Sequence, residues 1–272
     1  MRWLTLILFF PLYLSAQDYK YWVSFADKGP QTLQNTAPEL SERALERRAK
    51  QNIPLHITDL PVFPEYIQEI SDLGFKILNH SRWFNGVMVG TSDYSLVTAL
   101  TPFSFVESVY DFETQSSTSA RLKGKFEEIN SLDYGAAYHQ LEMLGGDVLH
   151  QKGFQGGGMQ IAVLDAGFYK VNELAAFDHL FANGRILGTW DFVAGGMAVY
   201  DDHNHGMAVL STMGAHLPNE MIGTAPEASY WLLRTEDAGS ENLIEEYNWL
   251  CGAEFADSVG ADIINSSLGY TT

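Results

Sequence analysis

The spacing of apolar and polar positions changes character along the chain. Tyr19 to Phe25 reads as a strand rich in aromatics. Leu40 to Gln51 is a charged helical segment, with Leu40, Ala44 and Leu45 on one side and Arg43, Arg47, Arg48 and Lys50 on the other. Pro64 to Leu73 predicts a second helix: Tyr66, Ile67, Ile70 and Leu73 fall at helical spacing, and Gly74 stands just past the end. Phe75 to Leu78 and Gly86 to Val89 are two short strands joined by a turn at Asn85-Gly86. Ser92-Asp93 caps a helix running to Leu100, and Phe103 to Tyr110 closes with a strand. With the charged segment set aside, residues 17–110 follow the order β-α-β-β-α-β of a small α+β, ferredoxin-like unit. A fold of this kind carries no function of its own. The unit shows no cluster of titratable groups, and His56 and His80 read as isolated surface histidines.

Residues 111–132 lose this patterning. Thr114 to Ser119 is polar throughout, and Arg121, Lys123 and Lys125 follow, which is the composition of an exposed linker and a place where proteases cut. From about residue 133 the pattern alternates strand and helix, which predicts a parallel sheet with helices on both faces. Met159 to Leu164, Ser229 to Arg234 and Asp262 to Ser266 read as strands. Gly206 to Gly214 and the amphipathic Leu243 to Val259 read as helices.

Composition narrows the picture. Hydrophobic residues make up 46% and charged residues 18% of the 272 residues, enough to bury a core. A formal net charge of −18 argues against a nucleic-acid partner, which needs a basic face. The single cysteine, Cys251, excludes an internal disulfide and, among Trp249, Leu250 and Phe255, reads as a buried small hydrophobe. Arg2, the apolar run Trp3 to Leu14, and Ser15-Ala16 compose a signal peptide over residues 1–16, with Gln17 as the expected mature start. No later stretch is long and apolar enough to span a bilayer, so the expected location is extracellular, with no membrane span after signal removal.

The chemistry gathers in the second half. Asp165 directly follows the apolar strand Ile161-Ala162-Val163-Leu164, and the carboxyl ends of strands are where open α/β sheets place their functional groups. A carboxylate among apolar neighbours needs a partner. His205 begins a helix after the polar loop Tyr200 to Asn204, where Asn204 or Asp202 is placed to cap, and Gly206 leaves room for a close approach. A histidine oriented by a carboxylate is a general base near neutral pH. A metal site built from Asp201, Asp202, His203 and His205 is the weaker alternative, because all four lie in one loop. Gly156-Gly157-Gly158 precedes a strand, whereas a phosphate loop follows one, so it reads as an entry turn.

These segments resemble the subtilisin family of serine proteases (peptidase S8). Ile161 to Gly167 is similar to its aspartate block and His205-Gly206 to its histidine block. Gly223 to Ala228 is similar to the turn after the histidine helix, and Asn265 to Gly269 to the substrate-binding strand, all in the family's order and spacing. The resemblance covers residues 133–272; that of residues 17–110 to an inhibitory pro-domain rests on element order and position, and it places a maturation site in 111–132. It implies an Asp-His-Ser triad in which Asp165 orients His205, with Ser267, Leu268 and Gly269 lining the substrate cleft. The implied partners are protein or peptide substrates and the chain's own pro-domain. No cofactor is implied, although structural calcium occurs in such enzymes.

Met207 and Ala208 depart from the threonine and histidine that usually follow the His-Gly pair. The nucleophile block, Gly-Thr-Ser followed by small residues and proline, and the oxyanion asparagine are expected beyond Thr272. Ser211 and Ser267 do not replace them: the first lies on the histidine helix itself, and the second lacks the Gly-x-Ser-x-Gly pattern. The chain by itself is therefore expected to be inactive. The alternative is a secreted pseudoprotease that only binds a partner.

Overall fold

The computed structural model describes residues 19–112, 134–239 and 242–269. The signal-peptide and linker expectations fall on residues 1–16 and 111–132, almost entirely outside the described residues.

The first region is a four-stranded antiparallel sheet of β1 (Tyr19–Phe25), β2 (Lys76–Ser81), β3 (Gly86–Thr91) and β4 (Val106–Asp111), in the order β2-β3-β1-β4. Helices α1 (Glu42–Gln51) and α2 (Pro64–Asp72) lie between β1 and β2. The expected third helix is a 3-10 helix, Tyr94–Leu100, capped by the Asp93 side chain, which accepts from Ser95 N. Because strand side chains alternate, β1 and β3 present Tyr21, Val23, Phe25, Val87 and Val89 to one face, where Ile70 and Leu100 pack on them. Trp22 and Met88 point to the other face. Each fully buried side chain of this kind contributes about 1.5–3 kcal/mol. β3 is buried along its whole length, as a central strand covered on both sides must be.

The second region opens with the short helices α3 (Tyr138–Glu142) and α4 (Gly146–Gln151). Its sheet is wholly parallel: β5 (Gln160–Asp165), β6 (Ile186–Asp191), β9 (Ser229–Arg234) and β10 (Ile263–Ser266), in the order β10-β5-β9-β6. Between β6 and β9 come β7 (His216–Leu217) and β8 (Met221–Ile222), a two-stranded antiparallel ribbon. Helices α5 (Asp178–Ala182) and α6 (His205–Gly214) cover one face, where Leu180 and Leu210 join Ile161, Val163, Tyr230 and Leu232 in a core. Helix α7 (Ile244–Val259) covers the other, with Cys251, Ala253 and Ala256 against Ala162, Leu164 and Leu233. β10 is an edge strand, and Ile263 and Ile264 stand 50% and 41% exposed.

α7 is also the roof of the first region. Ile244 and Tyr247 pack with Trp22, Met88 and Phe112, so a helix expected to show one face to solvent lies between two sheets. The polar residues on that face are tied down. Glu254 accepts from Ser81 Oγ at 2.6 Å, Arg82 N at 2.9 Å and Trp83 N at 3.1 Å. Asn79 donates to Phe192 O at 2.7 Å and Asn248 Oδ1 at 3.1 Å. Cys251 is buried as expected, its thiol donates to His80 O at 3.4 Å, and burial pushes its pKa up. His80 is not isolated: its Nε2 lies 3.8 Å from Glu39 Oε1. His56 caps the 3-10 turn Ile57–Asp59.

Candidate active site

Asp165 is the last residue of β5 and is fully buried. Its Oδ1 accepts from Ala166 N at 2.7 Å and lies 2.8 Å from His205 Nδ1. A carboxylate only accepts, so the proton between them sits on Nδ1, and Nε2 keeps the basic lone pair. Burial raises the Asp165 pKa above its ordinary value, against the hydrogen bonds from His205 and Ala166 that lower it. Asp165 Oδ2 is buried with no hydrogen-bond partner in the protein. The His205 side chain is 46% exposed, so the pair has one end in the core and the other at the surface.

The local sequence makes this approach possible. A Cβ on Gly206 would lie 2.5 Å from Gly167 O and 2.9 Å from Asp165 Cβ, so only glycine lets the first turn of α6 sit this close to the strand end. Gly167 has φ +150°, and a Cβ there would meet His203 N at 2.6 Å. The loop before His205 is laced to the segment after Asp165 by Phe168 N to Val199 O, Lys170 N to Tyr200 O and Tyr169 N to His203 O. The helix start differs from the sequence expectation. Asn204 makes no side-chain cap, and His203 Nδ1 instead accepts from His205 N at 3.2 Å.

Arg234, at the end of β9, pairs in register with both Asp165 and Asp191. Its Nε donates to Ala166 O at 3.2 Å, Nη1 lies 2.9 Å from Asp191 Oδ2 and Nη2 lies 3.5 Å from Asp202 Oδ1. One planar guanidinium thus braces the segment after Asp165, the end of β6 and the loop before His205. The sequence reading missed it. The signal available was a basic residue closing an apolar strand, Tyr-Trp-Leu-Leu-Arg.

The remaining candidates are placed by register. Ser266 pairs with Leu164, so Ser267, Leu268 and Gly269 leave the sheet at the same end as Asp165. Leu268 and Gly269 border an open cavity of ≈ 560 Å³ with Phe84, Tyr247 and Trp249. Ser267 Oγ donates to Asn265 Oδ1 at 3.3 Å, and Ser211 Oγ to Ala208 O at 2.7 Å; neither bonds to the imidazole of His205. Met207 is partly buried against the core of α6 and so fills a packing position. Of the four loop residues weighed as metal ligands, Asp202 faces Arg234 and His205 faces Asp165. Among the described residues no group of three or more His, Cys, Asp or Glu side chains is arranged to hold a metal ion. Gly156 and Gly158 shape the turn before β5, at the opposite end of the sheet from Asp165.

A parallel sheet with an acid–histidine pair at the carboxyl end of a strand is an α/β architecture that sets a base where such sheets carry their functional groups. Comparison with known proteins narrows this. Residues 156–272 match the subtilase family, and residues 20–128 match the peptidase S8 propeptide domain of Bacteroidota. Residues 156–272 are thus similar to the subtilase family, and the propeptide match stands ahead of them in the chain. The chain is 32% identical over 126 residues to a thermostable alkaline protease of Halalkalibacterium halodurans, covering 45% of this chain and 31% of that protein. It is 31% identical over 120 residues to thermitase of Thermoactinomyces vulgaris, covering 43% and 39%. The chain therefore spans well under half the length of these relatives. The epidermin leader peptide processing serine protease of Staphylococcus aureus shares the fold, with a TM-score of 0.51 at 10% identity over 92% of this chain and 49% of that one. No helix among the described residues is long and apolar enough to cross a membrane.

Proposed function

We propose that the chain is the first part of a secreted subtilisin-type serine endopeptidase, carried with its inhibitory pro-domain. Asp165 orients the imidazole, His205 takes the proton from a serine and returns it to the leaving amine, and Ser267 to Gly269 pair with the substrate backbone. The nucleophilic serine and the oxyanion asparagine are supplied from outside these 272 residues, so the residues present here do not hydrolyse peptides alone. The chemistry needs no cofactor. Maturation cuts within residues 114–132, after residues 1–16 have directed export.

The observation that carries this reading is the 2.8 Å contact between His205 Nδ1 and a fully buried Asp165 at a strand end. A buried carboxylate that is held by an imidazole and leaves Nε2 basic is an arrangement for moving a proton, and the packing role of Met207 leaves it intact. The test is labelling of the full-length protein with a serine-directed fluorophosphonate. Labelling that disappears in His205→Ala supports the reading. Absence of labelling in the wild type after removal of the pro-domain overturns it in favour of a binding protein.

A further inference from the structure

Helix α1 is the segment that interrupts the β-α-β-β-α-β plan of the first region, and that sheet does not need it. Only Ala44 of its ten residues is buried, so apolar packing does not hold it. Its arginines do. Arg43 Nε donates to Gly260 O at 3.0 Å, and its Nη2 donates to Asp262 Oδ2 at 2.5 Å and Gly158 O at 3.3 Å. Arg47 donates to Ala261 O and, at 2.5 Å, to Asp257 Oδ1. Arg48 joins Asp257 Oδ2 at 2.7 Å to Asp59 Oδ2 at 2.9 Å.

We infer that the corner where α7 turns into β10 is a second docking site, specific for a helix that presents guanidinium groups. In the precursor α1 fills it and holds the pro-domain on after the linker is cut.

Three features make the corner a built site. The carbonyls of Gly260 and Ala261 lie at the carboxyl end of α7, the negative end of the helix dipole. Planar guanidinium donors engage two acceptors at once, which an ammonium does less well. Gly260, at φ +79°, ends α7 in the left-handed region, and a Cβ there would lie 2.8 Å from Ala44 N and 2.9 Å from Arg43 Cγ. The corner is thus shaped to let the first turn of α1 approach, and Ser41 N seals the contact by donating to Ser258 O at 2.7 Å.

The site is far from the proposed chemistry. Asp262 Oδ2 also accepts from Gln160 N at 2.9 Å, which puts Arg43 at the amino ends of β5 and β10. Asp165 lies at the other end of β5, five residue rises or about 16 Å away. The turn after β2 makes a separate contact near the cleft, where the Phe84 and Tyr247 rings lie 6.3 Å apart. Cleavage of the chain between residues 112 and 134 therefore breaks none of the arginine contacts.

The inference uses the pro-domain assignment but not catalysis, so it is tested in the full-length His205→Ala protein. A recognition sequence for an unrelated specific protease is placed within residues 113–133, the chain is cut, and release of the labelled N-terminal piece is followed after dilution. The wild-type pieces should co-elute on gel filtration at about 0.1 M salt, and their release should quicken about tenfold or more at about 1 M salt. Arg43→Met with Arg47→Met should raise the release rate about a hundredfold and remove most of the salt dependence. Phe84→Ala should leave the salt dependence in place. Wild-type release that ignores salt, or immediate separation of the wild-type pieces, overturns the inference without reference to any variant. A folded double-arginine variant that releases at the wild-type rate also overturns it. Peptidase activity is not read at any step, so the outcome stands apart from that of the proposed function.

Discussion

The two sheets meet across α7 and are built on opposite plans. In the first region neighbouring strands run antiparallel, and both faces are covered, one by α2 and the 3-10 helix and the other by α7. In the second region the four strands of the main sheet run parallel through crossovers, and among the described residues β10 lies at its edge with Ile263 and Ile264 exposed. Among the described residues the covered sheet gathers no group of three or more His, Cys, Asp or Glu side chains arranged to hold a metal ion. The open sheet carries Asp165, His205 and Arg234 at its carboxyl end. A parallel sheet aligns its strand ends, so one edge of the molecule collects the polar side chains, while the antiparallel sheet sends alternate strand ends apart. The first region therefore acts as a cover, and what it covers is the helix behind the site.

The largest effect should fall on one side of this comparison only. On the proposed function, Asp165→Ala or His205→Ala in the full-length protein should each lower kcat by about 10⁴ to 10⁶, and the double substitution should lose little more. Hydrogen exchange in β1 and β3 should stay as in the wild type. Multiplicative losses, measured by steady-state hydrolysis of a peptide, would show that the two residues do not work as a unit.

The same deletion placed in each sheet sharpens the contrast. Ile70 is fully buried beneath the antiparallel sheet, whereas Ile263 is half exposed on the edge of the parallel one. Ile70→Ala should cost about 2–5 kcal/mol in urea unfolding. In the 272 residues alone, Ile263→Ala should cost about 0.5 kcal/mol or less, because few contacts are lost. Equal costs would mean that β10 is covered in solution.

Most of this division was legible in the sequence, for local reasons. β1 and β9 match the strands expected from Tyr19 to Phe25 and Ser229 to Arg234. The order β2-β3-β1-β4 is the ferredoxin-like order expected from the alternation of elements. Asp165 and His205 were placed by their positions at a strand end and a helix start. β6 was not seen, because Gly188 breaks its apolar run; that glycine sits at a register shift where a Cβ would meet the Trp231 ring at 2.6 Å. The second covered face of α7 was not seen either, since periodicity reveals an apolar stripe but not a polar face tied down by another sheet. In the sequence Arg234 shows only as the end of a strand and the α1 arginines only as one side of a charged helix, because their partners lie far away in sequence.

Arg234 offers the next test. It touches no reacting atom in the proposed mechanism, but it holds Ala166 O, Asp191 and Asp202 together and so positions both members of the pair. Arg234→Met should lower kcat about tenfold to a hundredfold with little change in KM, as misplacement of a catalytic pair does. Arg234→Lys should restore part of the loss by keeping one charged contact. A change confined to KM, or no rescue by lysine, would assign the residue to the cleft wall or to general stability.

The smallest effect lies back in the covering sheet, at His80. The Glu39 carboxylate, 3.8 Å away, raises the imidazole pKa above its ordinary 6.5, with the Glu254 charge adding to that and burial and Arg82 opposing it. The same contact lowers the Glu39 pKa below its ordinary 4.5. These are two views of one interaction and are counted once. A raised histidine pKa means that the folded state holds the proton more tightly. That stability is complete below about 6.5 and fades as pH rises through the folded value. A lowered glutamate pKa means that on the acid side it is present above about 4.5 and lost as pH falls through the folded value. The contribution is thus greatest between the two. The side chains are 46% and 44% exposed, which limits it to about 1 kcal/mol or less. Urea unfolding of wild type and His80→Gln should differ by that amount near pH 5.5 and converge near pH 8.5. A difference that persists unchanged at the higher pH would show that His80 acts through packing, and that the covering sheet answers to pH no more than the sheet it covers.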